Sequence, residues 1–271
     1  MNEKVIVIVG PTGSGKTGVA VEIAKEIGGE VISADSRTIY KGMDVGTAKP
    51  SIEERGGVPH FGFDLVEPGE RFTVKDWKDY TEIIIKEIVR RGHIPVVVGG
   101  TGLYIDALVY DYKFEVKAKG YGKNRGESIK NLNGKTGSLS NSDLNKYPDR
   151  QKICSKYKIF GIKWEREELK KRLEKRSKKM FCEELYDETS RLVKRYGWSN
   201  LAMTGNIYRI AWKVLCGEIS EGEAIRENVK LDYQLSKRQM TWFKRNKNIL
   251  WDNLDNIKAD VIKCIQNEQG K

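Results

Sequence analysis

Unbroken apolar runs and stretches of helical periodicity follow one another along the first 110 residues. After Lys4, Val5 to Val9 is a continuous β-branched run, the pattern of a strand buried on both faces. Residues 19–27 then carry apolar side chains at 19, 20, 23, 24 and 27, which is helix spacing. Gly28-Gly29 breaks that pattern, and Glu30 to Ala34 reads as a second short strand ending at Asp35-Ser36-Arg37. Thr73 and Asp76 have capping-box spacing, and apolar residues at 74, 77, 80, 83, 84, 85, 88 and 89 predict a long amphipathic helix to Arg90. Ile94 to Val98 follows as a buried strand, with Pro95 near its start, where a missing N–H is tolerated. Gly99-Gly100-Thr101-Gly102 turns the chain into a further helix over 103–108. This alternation predicts an α/β fold on a parallel sheet.

Between these elements, residues 38–50 lack a periodic apolar pattern and end on Pro50, so a long surface loop is expected, of the kind that carries binding groups. From 113 to about 149 Gly, Lys, Asn and Ser dominate and neither period is sustained, which predicts a weakly structured connection. Strand character returns at Tyr157 to Ile162. A highly charged helix is then expected from Glu165 toward Arg195, with Leu169, Leu173 and Met180 as its narrow apolar stripe. Its basic faces suit RNA phosphates or simply solvent. Core-facing helices follow over 207–215 and from Ala224 into the run 234–245, while the tail from Asn256 is polar and shows no site. The chain thus divides into a first part of the core (1–112), a short flexible insertion (113–149) and a mostly helical remainder (150–271) that completes the core.

The turn after the first strand carries the chemistry. Gly10-Pro11-Thr12-Gly13-Ser14-Gly15-Lys16-Thr17 satisfies the phosphate-loop pattern at every fixed position, and it stands between a strand and a helix as that motif requires. Its N–H groups and the helix start would hold phosphate oxygens, as of ATP or another polyphosphate. Lys16 would reach the outer phosphates and Thr17 would offer its hydroxyl to Mg2+. Asp35 ends the next strand beside this loop. There a carboxylate can orient magnesium, accept a proton, hold a ribose, or cap the following turn. Arg37, Lys41, Asp44, Thr47 and Lys49 are candidates for holding a phosphate or a nucleic-acid backbone, Thr101 could face the site, and His60 reads as a structural hydrogen-bonding residue.

Lysine and arginine number 49 against 38 acidic residues, a net charge of +11, which favours a polyanionic partner; a lysine-rich composition also marks thermophilic or AT-rich hosts. Cys154, Cys182, Cys216 and Cys264 are scattered and His60 and His93 are the two histidines, which argues against a structural zinc site or a disulfide framework. No apolar run has the length of a membrane span, and the chain enters its first strand at once, so a cytoplasmic location and no membrane contact are expected. In residues 234–245 Lys237, Arg238, Lys244 and Arg245 interleave with Trp242 and Phe243. The aromatics would stack on bases or fill the core, the latter being the reading favoured for Trp242.

GPTGSGKT at 10–17, DSRTIYKGMDVGTAKP at 35–50, VPH at 58–60, GGTGLY at 99–104 and SKRQMTWF at 236–243 together resemble the tRNA dimethylallyltransferase family. The resemblance implies a P-loop nucleotide-kinase-like α/β core with a helical inserted domain that grips the anticodon stem-loop of tRNA. It implies transfer of a dimethylallyl group from dimethylallyl diphosphate to N6 of adenosine 37, assisted by Mg2+, with no ATP hydrolysed. On this reading the phosphate loop, with Thr12, Lys16 and Thr17, holds the diphosphate and Asp35 stands at the general base. Thr101 and Arg37 orient the diphosphate. Ser36, Thr38, Tyr40, Asp44, Gly46, Thr47 and Lys49 line the acceptor side, Lys237, Arg238 and Gln239 complete the substrate contacts, and a channel admits the two substrates from opposite ends. A monomer is expected. The chain departs from the family at the reduced insertion 113–149, where Asp149-Arg150-Gln151-Lys152-Ile153 stands as a remnant of a family block. It departs also at Asp232-Tyr233, where the family has threonine and a diphosphate-binding arginine, at Ser236 for alanine, at Thr38 for glutamine and at Phe61 for a second histidine. These departures keep open a transferase acting on free AMP, ADP or ATP and a non-catalytic RNA-binding relative; the phosphate loop alone also admits a nucleotide kinase.

Overall fold

The computed structural model describes residues 4–114, 153–198 and 200–269. The insertion expected at 113–149 lies outside the described residues from 115 onward, as do 149–152 of the remnant block. Six parallel strands form one sheet in the order β3-β2-β4-β1-β5-β6: β1 Val5–Val9, β2 Gly29–Ser33, β3 His60–Phe61, β4 Ile94–Gly99, β5 Tyr157–Ile162 and β6 Ile249–Asp252. The two runs read as buried strands, β1 and β4, occupy its centre with the short β2 beside them, where both faces are covered and side chains need not alternate in polarity.

One face is covered by α1 (Lys16–Ile27) and α9 (Leu254–Gln269), which bury Val19, Ile23, Ile257, Val261 and Ile265 against Ile6, Ile8 and Phe160. After the short α2 (Ile52–Arg55), the other face packs α3 (Val74–Arg90) and α4 (Gly102–Val109), with Trp77, Ile85, Tyr104 and Leu108 against Val5, Val7 and Val97. Thr73 caps α3 in the expected box, its hydroxyl accepting the Asp76 N–H while the Asp76 carboxylate accepts the Thr73 N–H. A third cluster joins α5 (Arg166–Met180), α6 (Glu183–Tyr196), α7 (Asn206–Leu215) and α8 (Glu221–Phe243).

The structure adds β6, where no strand is expected, and departs from the periodicity reading in three further places. Residues 38–50 are no mere surface loop: Ile39, Tyr40 and Met43 are buried in the third cluster beside Leu185, Met203 and Tyr208. The charged helix expected from 165 to 195 is two helices, α5 and α6, broken at Phe181-Cys182. Phe181 is buried there, the lysines 178–179 close one helix and Glu183-Glu184 open the next, each matching its end of the helix dipole. The polar tail is α9, whose buried stripe of Ile257, Val261 and Ile265 at i, i+4 and i+8 is too narrow to stand out from its polar flanks.

Candidate active site

A cleft of ≈ 570 Å³ opens at the carboxyl ends of β1, β2 and β4, bounded by the phosphate loop, residues 45–50 and one face of α5. That is the end at which open α/β sheets place ligands. The loop itself takes its shape from Gly13 (φ 76°) and Gly15 (φ 84°), a backbone region closed to most side chains. A Cβ on Gly13 would stand 2.6 Å from Leu173 Cδ2, so α5 presses directly on the loop.

Side chains from distant segments hold the loop. Gln239 on α8 accepts the Thr12 N–H at 2.8 Å and donates through Nε2 to the Gly100 carbonyl at 3.1 Å, clipping the loop to the turn after β4. Arg172 donates to the Gly13 carbonyl at 2.9 Å and lies over the Trp164 ring, while the Trp164 indole donates to the Ser14 carbonyl. Arg176 donates to the Thr12 hydroxyl at 2.7 Å and to the Asp232 carboxylate at 2.9 Å. With Lys175 and Lys179, these arginines recur at i, i+3, i+4 and i+7, so one face of α5 turns four cations toward the cleft.

Burial pulls the Lys16 ammonium down to about 8. The neighbouring Asp35 carboxylate opposes this, Arg176 adds to it, and Asp232 opposes it again. Burial raises Asp232, with Arg176 and Lys16 opposing. The site therefore sets the confined cations Lys16 and Arg176 beside two carboxylates, Asp35 and the Arg176-paired Asp232, and with Arg172, Lys175 and Lys179 the cations prevail, which suits a polyanionic ligand.

Asp35 lines the same cleft, and one of its oxygens accepts the Arg37 N–H at 2.8 Å. Thr101 accepts the Ser36 N–H at 3.0 Å and its hydroxyl lies 3.4 Å from that of Ser36, which fixes the strand end that carries Asp35. Thr38 lines the cleft with its hydroxyl 3.1 Å from that of Ser33. His60 keeps its structural hydrogen bond, Nδ1 donating to the Val58 carbonyl at 2.8 Å, and burial lowers its pKa.

Other expected site residues have different places. Tyr40 is packed in the third cluster. The Lys49 ammonium is held by Asp44 at 2.5 Å, Asp64 at 2.6 Å and the Tyr40 carbonyl at 3.2 Å, so it braces the loop at the cleft's edge. Thr47 lines the cleft while its hydroxyl donates to the Met43 carbonyl at 2.6 Å. Gly46 lies against the Tyr208 ring, which a Cβ would meet at 2.5 Å. Lys237 and Arg238 are exposed, Lys237 over the Tyr233 ring at 4.7 Å. Trp242 is half-buried and donates to the Asp106 carboxylate at 2.9 Å, and Phe243 is in the core, so these aromatics pack. Sequence reading missed Arg172 and Arg176 as loop contacts. Their only signal was that they flank the Leu169 and Leu173 stripe.

Thr17 lines the cleft beside Lys16 and Asp35. Among the described residues no three His, Cys, Asp or Glu side chains gather into a metal site of their own. Mg2+ does not need one: it is commonly held by one or two protein oxygens together with substrate phosphates and water, and the Thr17 hydroxyl beside a phosphate cradle fits that donor set.

Residues 38–137 and 129–246 match the family model described as IPP transferase, and residues 3–60 match one described as isopentenyl transferase. The chain is 37% identical to a tRNA dimethylallyltransferase of Acetivibrio thermocellus, with 98% of this chain and 96% of the relative covered. It is 34% identical to one of Pelotomaculum thermopropionicum, with 97% of each covered. The crystal structure of a tRNA delta(2)-isopentenylpyrophosphate transferase from Staphylococcus epidermidis matches with a TM-score of 0.75 at 32% identity, over 98% of this chain and 99% of that one.

Proposed function

The chain belongs to the IPP transferase family, and on that premise we propose that it transfers a dimethylallyl group from dimethylallyl diphosphate to N6 of adenosine 37 in tRNA. The observation that carries the reading is that Asp35, from the end of β2, shares one cleft with Thr12, Lys16 and Thr17 of the phosphate loop and Arg176 of α5. A carboxylate and a phosphate cradle are the two groups this substitution needs.

The diphosphate is bound by the loop N–H groups, Lys16 and Arg176, which oppose the negative charge that grows as the allylic carbon–oxygen bond breaks. Thr17 would hold Mg2+, which when bound adds Lewis-acid stabilisation of the leaving oxygens. The adenine amine forms the new bond to the allylic carbon, and its proton passes to the Asp35 carboxylate. Thr101 keeps that carboxylate's strand end in place through Ser36. The adenine must leave its stack to reach the cleft, a cost that contacts from residues 45–50 would offset. Arg176, held against the Thr12 hydroxyl, adds a cation on the diphosphate side of the cleft, while Tyr233 stands at the position where the family carries a diphosphate-binding arginine.

The test is incubation of the full chain with radiolabelled dimethylallyl diphosphate, Mg2+ and either unmodified tRNA containing A36-A37 or free AMP. Label in the tRNA is expected, together with its loss in Asp35→Asn while diphosphate affinity stays within about threefold, since the carboxylate meets the acceptor rather than the phosphates. Label in AMP alone would replace the acceptor assignment. Tight tRNA binding without transfer would remove catalysis from the reading.

A further inference from the structure

We infer that Glu188 of α6 is a positioning residue that fixes the backbone of residues 44–46 and so sets affinity for the RNA acceptor. The inference rests on the reading of this cleft as an RNA prenyltransferase site. Glu188 is 4% exposed, and its carboxylate is enclosed by donors. Oε2 accepts the N–H groups of Asp44 at 2.8 Å and Val45 at 2.9 Å. Oε1 accepts the Gly46 N–H at 2.9 Å and the Tyr208 hydroxyl at 2.8 Å. Four donors match the four lone-pair directions of a carboxylate. Successive N–H groups curled around an anion form a nest, and this nest takes its anion from a helix 142 residues further along the chain.

The surroundings leave the arrangement little freedom. Burial, and then the Glu188 charge, push the Tyr208 hydroxyl far above its usual range, which keeps it a donor. The Tyr208 ring leaves no room for a Cβ at Gly46. At the other end of the loop Lys49 ties Asp44 to Asp64. Val45, within the first fastening, and Thr47 and Ala48, between the two, face the cleft. The side chains that hold the phosphate loop come from α5, α8 and Trp164, whereas the Glu188 nest that holds the N–H groups of 44–46 is built from α6 and α7. A defect at Glu188 should therefore fall on one substrate and spare the other.

Glu188→Gln keeps the side chain's size, removes its charge and turns one acceptor into an NH2 group facing N–H donors. The KM for tRNA should rise about tenfold or more, while kcat and the Kd for dimethylallyl diphosphate stay within about threefold. Amide hydrogen exchange should quicken at 44–46 and stay unchanged at 10–17. Tyr208→Phe removes one donor of four and should give a smaller rise, about two- to threefold. Unchanged exchange at 44–46, an unchanged KM for tRNA, or equal losses for both substrates would overturn the inference. If Glu188→Gln does not fold, the same readings on Tyr208→Phe decide it. Failure of the wild-type chain to label tRNA would instead sink the acceptor reading, while the exchange measurement would still test the hold of Glu188 on the loop.

Discussion

Replacing Arg176 by alanine should weaken binding of dimethylallyl diphosphate by about 10- to 150-fold. The side chain is 28% exposed and already oriented toward the loop by the Thr12 hydroxyl at 2.7 Å and the Asp232 carboxylate at 2.9 Å. A hydrogen bond to a charged group in such a setting contributes roughly 1.5–3 kcal/mol, and each 1.4 kcal/mol is a factor of ten in Kd. The truncation also leaves Asp232, which interacts with Lys16 of the loop, without its hydrogen-bonded cation. Burial already raises the Asp232 pKa, so the orphaned carboxyl should take up a proton more readily, but while ionised it repels the ligand. The double variant Arg176→Ala/Asp232→Asn should accordingly recover part of the loss. Isothermal titration with dimethylallyl diphosphate and Mg2+ measures both variants, with the urea midpoint as a control for folding. An Arg176→Ala protein that binds within twofold of wild type, or a double variant weaker than the single one, would refute this account of the cleft.

Two further outcomes test the scaffold. In Gly99→Ala the new Cβ would stand 2.1 Å from the Ala34 carbonyl oxygen, forcing the ends of β2 and β4 apart beside Asp35. A loss of about 1–3 kcal/mol in urea unfolding is expected, and a variant as stable as wild type would contradict it. Glu30 is buried at the opposite end of the sheet. Burial alone would raise its pKa, but hydrogen bonds from Arg91 and His93 outweigh that and hold it below 4.5. Its contribution is fully present above pH 4.5 and is lost as pH falls through the lowered folded value, because the unfolded chain then binds the proton more tightly. Glu30→Gln should therefore flatten the acid limb of a stability–pH curve below pH 4.5 and leave the slope above it unchanged; an acid limb as steep as wild type would contradict the pairing.

Local chemistry determined a large part of this protein. The runs 5–9 and 94–98 are strands because they are apolar on both faces, α3 starts at its capping box, and the phosphate loop is legible because glycine spacing and a following helix are neighbours in the chain. Asp35 and that loop share one cleft because β1 and β2 end on the same side of a parallel sheet with β4 between them, so the common end was within reach of the sequence and the strand order was not. Tertiary structure decided the rest. Arg176 meets Thr12 across 164 residues, Gln239 meets it across 227, and Glu188 meets Gly46 across 142. The burial of Ile39, Tyr40 and Met43 likewise depends on helices far downstream. Periodicity reports how a segment meets a surface within a few turns of itself; which surface that is, and which distant charge waits there, is settled only when the chain packs.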